Sequence, residues 1–275
     1  MNRILCSTGA LIGRPNGRNY RLLRSVIKEL HCDGLEFMMY DSWYDEAEQI
    51  VEYLQGLQIR IPVVHCEKSI GEKISQSEEN GLDEVIRRFT INCRMAREIQ
   101  AEKMVIHLWD GLTSDRNIRI NINVYSRLAE IAAAYGIDLL VENVVCNMQD
   151  PMSHWCELAE KYTDIHFVFD TKMAAFQEQV DLLYEKKYEW LWKEGHIRHY
   201  HVNDYAGGYM EWGKLRTLPI GVGNVDFRKF FDFIHQTKYQ GDFTVEATAF
   251  GQDGMIDTAM LNRCFDDIRD YMKHK

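Results

Sequence analysis

A (β/α)8 barrel, the TIM barrel fold, is the class this sequence predicts, on three observations. Short β-branched or aromatic runs alternate eight times with longer amphipathic stretches. The chain has 275 residues, and eight such units take about 250. No shift in composition marks a linker, so residues 1–275 read as a single barrel domain. The competing class, an open doubly wound sheet, would carry GxGxxG after its first strand. Here only Gly221-Val222-Gly223 occurs, ahead of the seventh helix.

The strands are expected at residues 3–7, 34–38, 61–65, 103–107, 138–141, 166–169, 197–202 and 242–245. Each is a short apolar run of the kind a parallel sheet buries on both faces. Residues 20–31 place Leu22, Leu23, Val26, Ile27 and Leu30 on one helical face, and 45–55 do the same with Ala47, Ile50, Val51 and Leu54. Later helices are expected at 82–99, 124–135, 152–162, 174–192, 227–236 and 257–272. Gly136 and Gly195 stand where helices should stop, and Asp226 stands where an N-cap should precede Phe227.

Composition narrows the function classes. With 46% hydrophobic and 27% charged residues and four prolines, the chain is an ordinary globular protein rather than a disordered or fibrous one. No apolar run reaches the 18 residues or so of a membrane span, and the start MNRILCSTGALIGRP lacks the apolar core of a signal peptide. A cytoplasmic protein without a membrane partner is expected. The 32 basic against 42 acidic residues give a net charge of −10, which repels a polyphosphate backbone, and no basic block offsets it, so no nucleic-acid partner is expected. Seven scattered cysteines, none spaced as CxxC, suggest reduced thiols rather than a disulfide framework or zinc knuckle. Assembly into a homo-oligomer is left open.

A barrel builds its active site at the C-terminal ends of its strands, so the residue closing each run is the informative one. The runs end PVVH at His65, MVIH at His107, LLVE at Glu142, FVFD at Asp170, HYH at His201 and TVE at Glu246, and Glu36 in GLE adds a weaker seventh. Any one of these has an ordinary reading as a solvated or capping strand end. Together they put several carboxylates at one mouth, where mutual repulsion and desolvation call for a cation. Glu142, Asp170, His201 and Glu246 come from four successive strands. Three oxygens and one nitrogen suit one divalent ion, manganese first, with magnesium, cobalt or zinc as alternatives.

The segments LLVEN (Glu142, Asn143), FVFDT (Asp170, Thr171), HYHVND (His201, Asn203, Asp204), RTLPIGVGNVDF (residues 216–227) and FTVEA (Glu246) resemble the successive signatures of the xylose isomerase-like barrel superfamily. That superfamily includes sugar isomerases and epimerases, inosose and dehydroshikimate dehydratases, and the endonuclease IV branch. The resemblance spans all eight units, and it is specific for the superfamily but not for the substrate. It implies Glu142, Asp170, His201 and Glu246 as metal ligands, with His65 and His107 near a small sugar or polyol-ketone substrate. It also implies a metal-dependent isomerase or epimerase in which Glu142 and Glu246 remove and return a proton beside a carbonyl through an enediolate. The alternative is a dehydratase of a cyclic polyhydroxy ketone; a non-catalytic sugar-binding barrel is a further one.

Several roles stay open on the residues alone. Glu142 and Glu246 are either acid and base or ligands only, and His65 and His107 either meet substrate or pack strand ends. Arg216 either holds a substrate oxygen or is a solvated loop charge, Trp109 offers an apolar wall to a sugar ring, and Glu36 is a further substrate-site candidate. One departure counts against the endonuclease branch. Its pattern has a metal-binding histidine three residues after the aspartate of strand six, where this chain has Met173, with Lys172 beside it.

Overall fold

In the computed structural model, which describes residues 2–77, 81–110 and 114–273, the strands close into a barrel in chain order. They are β1 (Ile4–Ser7), β2 (Gly34–Met38), β3 (Val63–His65), β4 (Lys103–Ile106), β5 (Asp138–Glu142), β6 (His166–Asp170), β7 (Ile197–His201) and β8 (Asp242–Val245). All eight expected strands form, and their ends differ from expectation by two residues at most. Most strand residues are buried, as strands covered on both faces must be. No helix among the described residues is long and apolar enough to cross a membrane.

The chain divides into two compact units, Phe37–Val168 and Met1–Glu36 with Phe169–Lys275. In the Phe37–Val168 unit, β3, β4, β5 and β6 pair parallel in turn, with His65 beside Val105 and Glu142 beside Val168. Its helices are α2 (Ala47–Gln55), α3 (Ser69–Gln76), α4 (Leu82–Glu98), α5 (Ile118–Ala134) and α6 (Pro151–Lys161). Asp150 caps α6, its carboxylate accepting the Ser153 N–H, and Trp155 stacks on Phe167 at 4.3 Å between centroids. In the other unit β1 pairs with β2 and β8, and β7 with β8, placing His201 beside Thr244. There α1 (Leu23–Val26), α7 (Thr171–Phe176), α8 (Trp190–Lys193), α9 (Phe227–Thr237) and α10 (Thr258–Lys273) complete the set. Phe230, Phe231, Tyr200 and Phe243 form an aromatic core under α9.

Three expectations about helices are corrected. Residues 20–31 are not one α-helix but two 3-10 turns flanking α1; the buried residues there are Tyr20, Leu23 and Val26, spaced by the three that a 3-10 helix requires. Residues 174–192 are likewise broken. Asp170 caps α7 with its own carboxylate on the Met173 N–H, starting it three residues early, and Glu178 at φ +55° ends that run before two 3-10 turns and α8. The α5 helix begins at Ile118 rather than 124, because Asn121 is buried with its amide donating to the carbonyls of Gly71 and Leu108. Elsewhere the stops hold: Gly136 and Gly195 have φ of +74° and +78°, and Asp226 caps α9 on the Lys229 N–H.

Candidate active site

The strand ends of the Met1–Glu36 and Phe169–Lys275 unit gather four buried groups. Asp170 closes β6, His201 closes β7, Glu246 follows β8, and Glu36 lies on β2. Glu36 Oε2 accepts the Thr244 hydroxyl at 2.9 Å and the His201 Nε2–H at 3.2 Å, with His199 Nε2 also at 3.2 Å. Burial pushes the Glu36 carboxyl up, but the charge and hydrogen bonds of His201 and His199 outweigh it and hold the group well below the usual carboxylate range. With Nε2 donating to Glu36, the Nδ1 side of His201 faces Asp170 Oδ2 at 3.9 Å and Glu246 Oε2 at 3.6 Å.

Asn203 sets the positions of the two carboxylates. Its Nδ2 donates to Asp170 Oδ2 at 3.3 Å and Glu246 Oε2 at 3.4 Å, while its Oδ1 accepts the Glu246 N–H at 2.7 Å. The Thr171 hydroxyl in turn links to the backbone of Asn203. The other oxygen of Asp170 is fixed by the α7 cap, so Oδ2 alone turns toward His201 and Glu246.

In the Phe37–Val168 unit, Glu142 closes β5 and His65 closes β3, while His107 stands one residue beyond β4. Glu142 Oε2 lies 2.6 Å from His107 Nε2 and 3.4 Å from His65 Nε2, and the two rings meet edge to face. His65 Nδ1 donates to the Cys66 carbonyl at 2.8 Å. His107 Nδ1 sits 3.0 Å from Asp110 Oδ2. Burial alone would lower the His107 pKa; the carboxylates of Asp110 and Glu142 outweigh it and raise the value to about 9.

The chain matches the family model described as the xylose isomerase-like TIM barrel over residues 25–261. It belongs to that family. No curated protein matches the sequence. Solved structures similar to it include a D-tagatose 3-epimerase-like protein, 20% identical with 98% of this chain and 97% of that one covered, at a TM-score of 0.69. The IOLI protein with a bound zinc is 14% identical, with 98% of each chain covered, at 0.72. A D-allulose 3-epimerase from Methylomonas sp., in complex with D-allulose, is 14% identical with 98% and 97% covered, at 0.70.

Among the strand-end residues of this xylose isomerase-like barrel, Asp170, His201 and Glu246 converge in one unit, with Glu36 against His201, and Glu142, His65 and His107 meet in the other. Trp109 is fully buried, its indole N–H on the Val144 carbonyl and its ring against His154. Arg216 is exposed on the loop after β7. Asp204 organises that loop, its carboxylate accepting the N–H groups of Tyr205, Gly223 and Val225. This accounts for the GVG pattern, since a Cβ on Gly223 would lie 2.5 Å from Asp204 Oδ1 and 2.4 Å from the Tyr205 carbonyl.

Sequence reasoning missed His199 and Asp110. Their signals were an imidazole two residues before His201 on the same strand face, and an acid three residues after His107. A further buried trio is formed by Asp115, Cys146 and His154. The Asp115 carboxylate there accepts the N–H groups of Asn147, Met148 and Gln149, tying down the turn into α6.

Proposed function

We propose that this chain is a divalent-metal-dependent isomerase or epimerase of ketose sugars, with Glu142, Asp170, His201 and Glu246 as the ligands of one ion, manganese first. One observation carries the reading. His201 Nε2 lies against Glu36, Asn203 braces both carboxylates, and His201 Nδ1 stands 3.9 Å from Asp170 Oδ2 and 3.6 Å from Glu246 Oε2, so one imidazole and two carboxylates converge. Buried donors so arranged fit a divalent cation with oxygen and imidazole ligands. Glu142, closing the neighbouring strand of the barrel order, is proposed as the fourth. The sugar epimerases among the similar structures and the zinc bound in the IOLI protein support the same reading.

When bound, the ion would polarise a carbonyl and its neighbouring hydroxyl and so acidify the hydrogen on the carbon between them. The chain's own groups do the rest. One of Glu142 and Glu246 removes that proton and the other returns one from the opposite face. Glu246 is held for this by its own N–H on Asn203 and by the Asn203 amide on its carboxylate. His65 and His107 would hydrogen-bond substrate hydroxyls and Arg216 would reach a substrate oxygen from the loop, while Trp109, fully buried against His154, would support the strand end behind His107 rather than face the sugar. Glu36, enclosed by His199, His201 and Thr244, is better placed to orient His201 than to touch substrate.

The test is incubation of the manganese-loaded protein with ketohexoses in deuterated buffer. Deuterium entering a carbon beside the carbonyl, suppressed in Glu246→Gln samples that retain metal, supports the proposal. Turnover of no ketose, with dehydration of an inosose or of dehydroshikimate to an ultraviolet-absorbing product, would replace it with the dehydratase reading.

A further inference from the structure

Lys172 stands at the start of α7, two residues after Asp170, and is only 5% exposed. A buried lysine is ordinarily held by a close carboxylate, because an ammonium taken out of water without compensation is costly. Lys172 lacks that closeness. Its Nζ lies 3.6 Å from Asp170 Oδ2 and 3.4 Å from Thr217 Oγ1, both beyond the usual 2.7–3.2 Å of an N–H···O hydrogen bond. Three N–H donors therefore meet two long contacts. Asp170, for its part, is served without it, by the Met173 N–H on one oxygen and Asn203 on the other.

The surroundings say what the ammonium faces. Thr217 belongs to the loop after β7. Its carbonyl accepts the Thr248 N–H, two residues past Glu246, and an Asp204–Leu218 bridge holds the same stretch in place. The amine is thus fixed between Asp170 and the segment bonded to the chain just beyond Glu246. It lies beside Asp170, one of the proposed ligands.

We infer that Lys172 is a catalytic residue of the proposed reaction, its ammonium donating to the substrate oxygen that becomes negative when the neighbouring carbon loses its proton. The inference rests on the function proposed above. In that step a glutamate takes the proton, the C–H electron pair becomes the C=C bond of the enediolate, and the carbonyl π pair moves onto its oxygen. A cation already oriented at that oxygen binds the charged state more strongly than the neutral ketone, which is what lowers a barrier.

Lys172→Met, of similar length and uncharged, is the test, with Lys172→Gln as the second variant. Three quantities are read: metal per chain, deuterium exchange kinetics with a ketohexose, and calorimetric affinity for two probes. One probe is a short-chain aldonohydroxamate, whose ionised oxygen imitates the enediolate; the other is a neutral hexitol. The variants keep their metal and their hexitol affinity, while kcat and hydroxamate affinity each fall on the order of 100-fold and KM changes far less. Equal loss for both probes, or loss of metal, overturns the inference in favour of a structural role. Undiminished exchange in both variants, with exchange in the wild type, overturns it alone. No exchange by the wild type with any ketose overturns the proposed function and this inference with it.

Discussion

Asn203→Leu separates bracing of the carboxylates from chemistry. Leucine fills nearly the same volume but offers neither the acceptor for the Glu246 N–H at 2.7 Å nor the donors to Asp170 and Glu246 at 3.3 and 3.4 Å. An amide left buried and unpaired costs about 1–3 kcal/mol, and hydrogen bonds to charged groups contribute about 1.5–3 kcal/mol each. The two donor contacts are long and not additive, so a loss of about 3 kcal/mol is expected, within the usual stability of about 5–15 kcal/mol. At about 2–4 °C per kcal/mol for a chain approaching this size, Tm falls by roughly 10 °C. Misplacing two ligands also weakens metal binding by about 10–100-fold. Thermal unfolding with chelator and with excess manganese, together with metal titration, measures both effects. A chelated variant melting within about 2 °C of the wild type, with unchanged metal affinity, would refute the bracing role.

Other consequences concern the loop and the thiols. Gly223→Ala forces a methyl group against the Tyr205 carbonyl and the Asp204 carboxylate. About 1–3 kcal/mol of stability is lost, and limited proteolysis should cut residues 202–226 faster than in the wild type; an unchanged cleavage rate counts against Asp204 as the organiser of that loop. Of the seven cysteines, only Cys32 and Cys156 are not buried. Native alkylation read by mass spectrometry should mark no more than these two. Burial pushes Cys32 up to about 11, so less of it is thiolate at pH 8 than for a free thiol, and its alkylation should keep accelerating above pH 9. A plateau near pH 9 would contradict that shift.

Much of the fold was legible because burial on both faces leaves strands as dense apolar runs, and because a strand's last residue is where a barrel exposes function. That is why Asp170, His201 and Glu246 could be named from their positions and are found together. What escaped had weaker periodicity or depended on tertiary partners. The α3 helix buries only Ile70 and Ile74 among its large apolar residues, too few to stand out as a pattern. Residues 171–176 became helical because the Asp170 carboxylate caps them, a consequence of where the strand ends rather than of their own composition. The contacts of Lys172 and the bracing by Asn203 depend on residues 33 to 45 positions away, which spacing along one element cannot reveal.

The central claim is one divalent ion held by Glu142, Asp170, His201 and Glu246, and metal content measures it most directly. Protein purified without chelator should contain one manganese-class ion per chain by elemental analysis. Asp170→Asn, which keeps an oxygen to accept the Met173 N–H and so the cap of α7, and His201→Ala should contain almost none, with the far-ultraviolet circular dichroism of Asp170→Asn close to that of the wild type. Full occupancy in either variant, or two to three ions per chain in the wild type, would contradict the account.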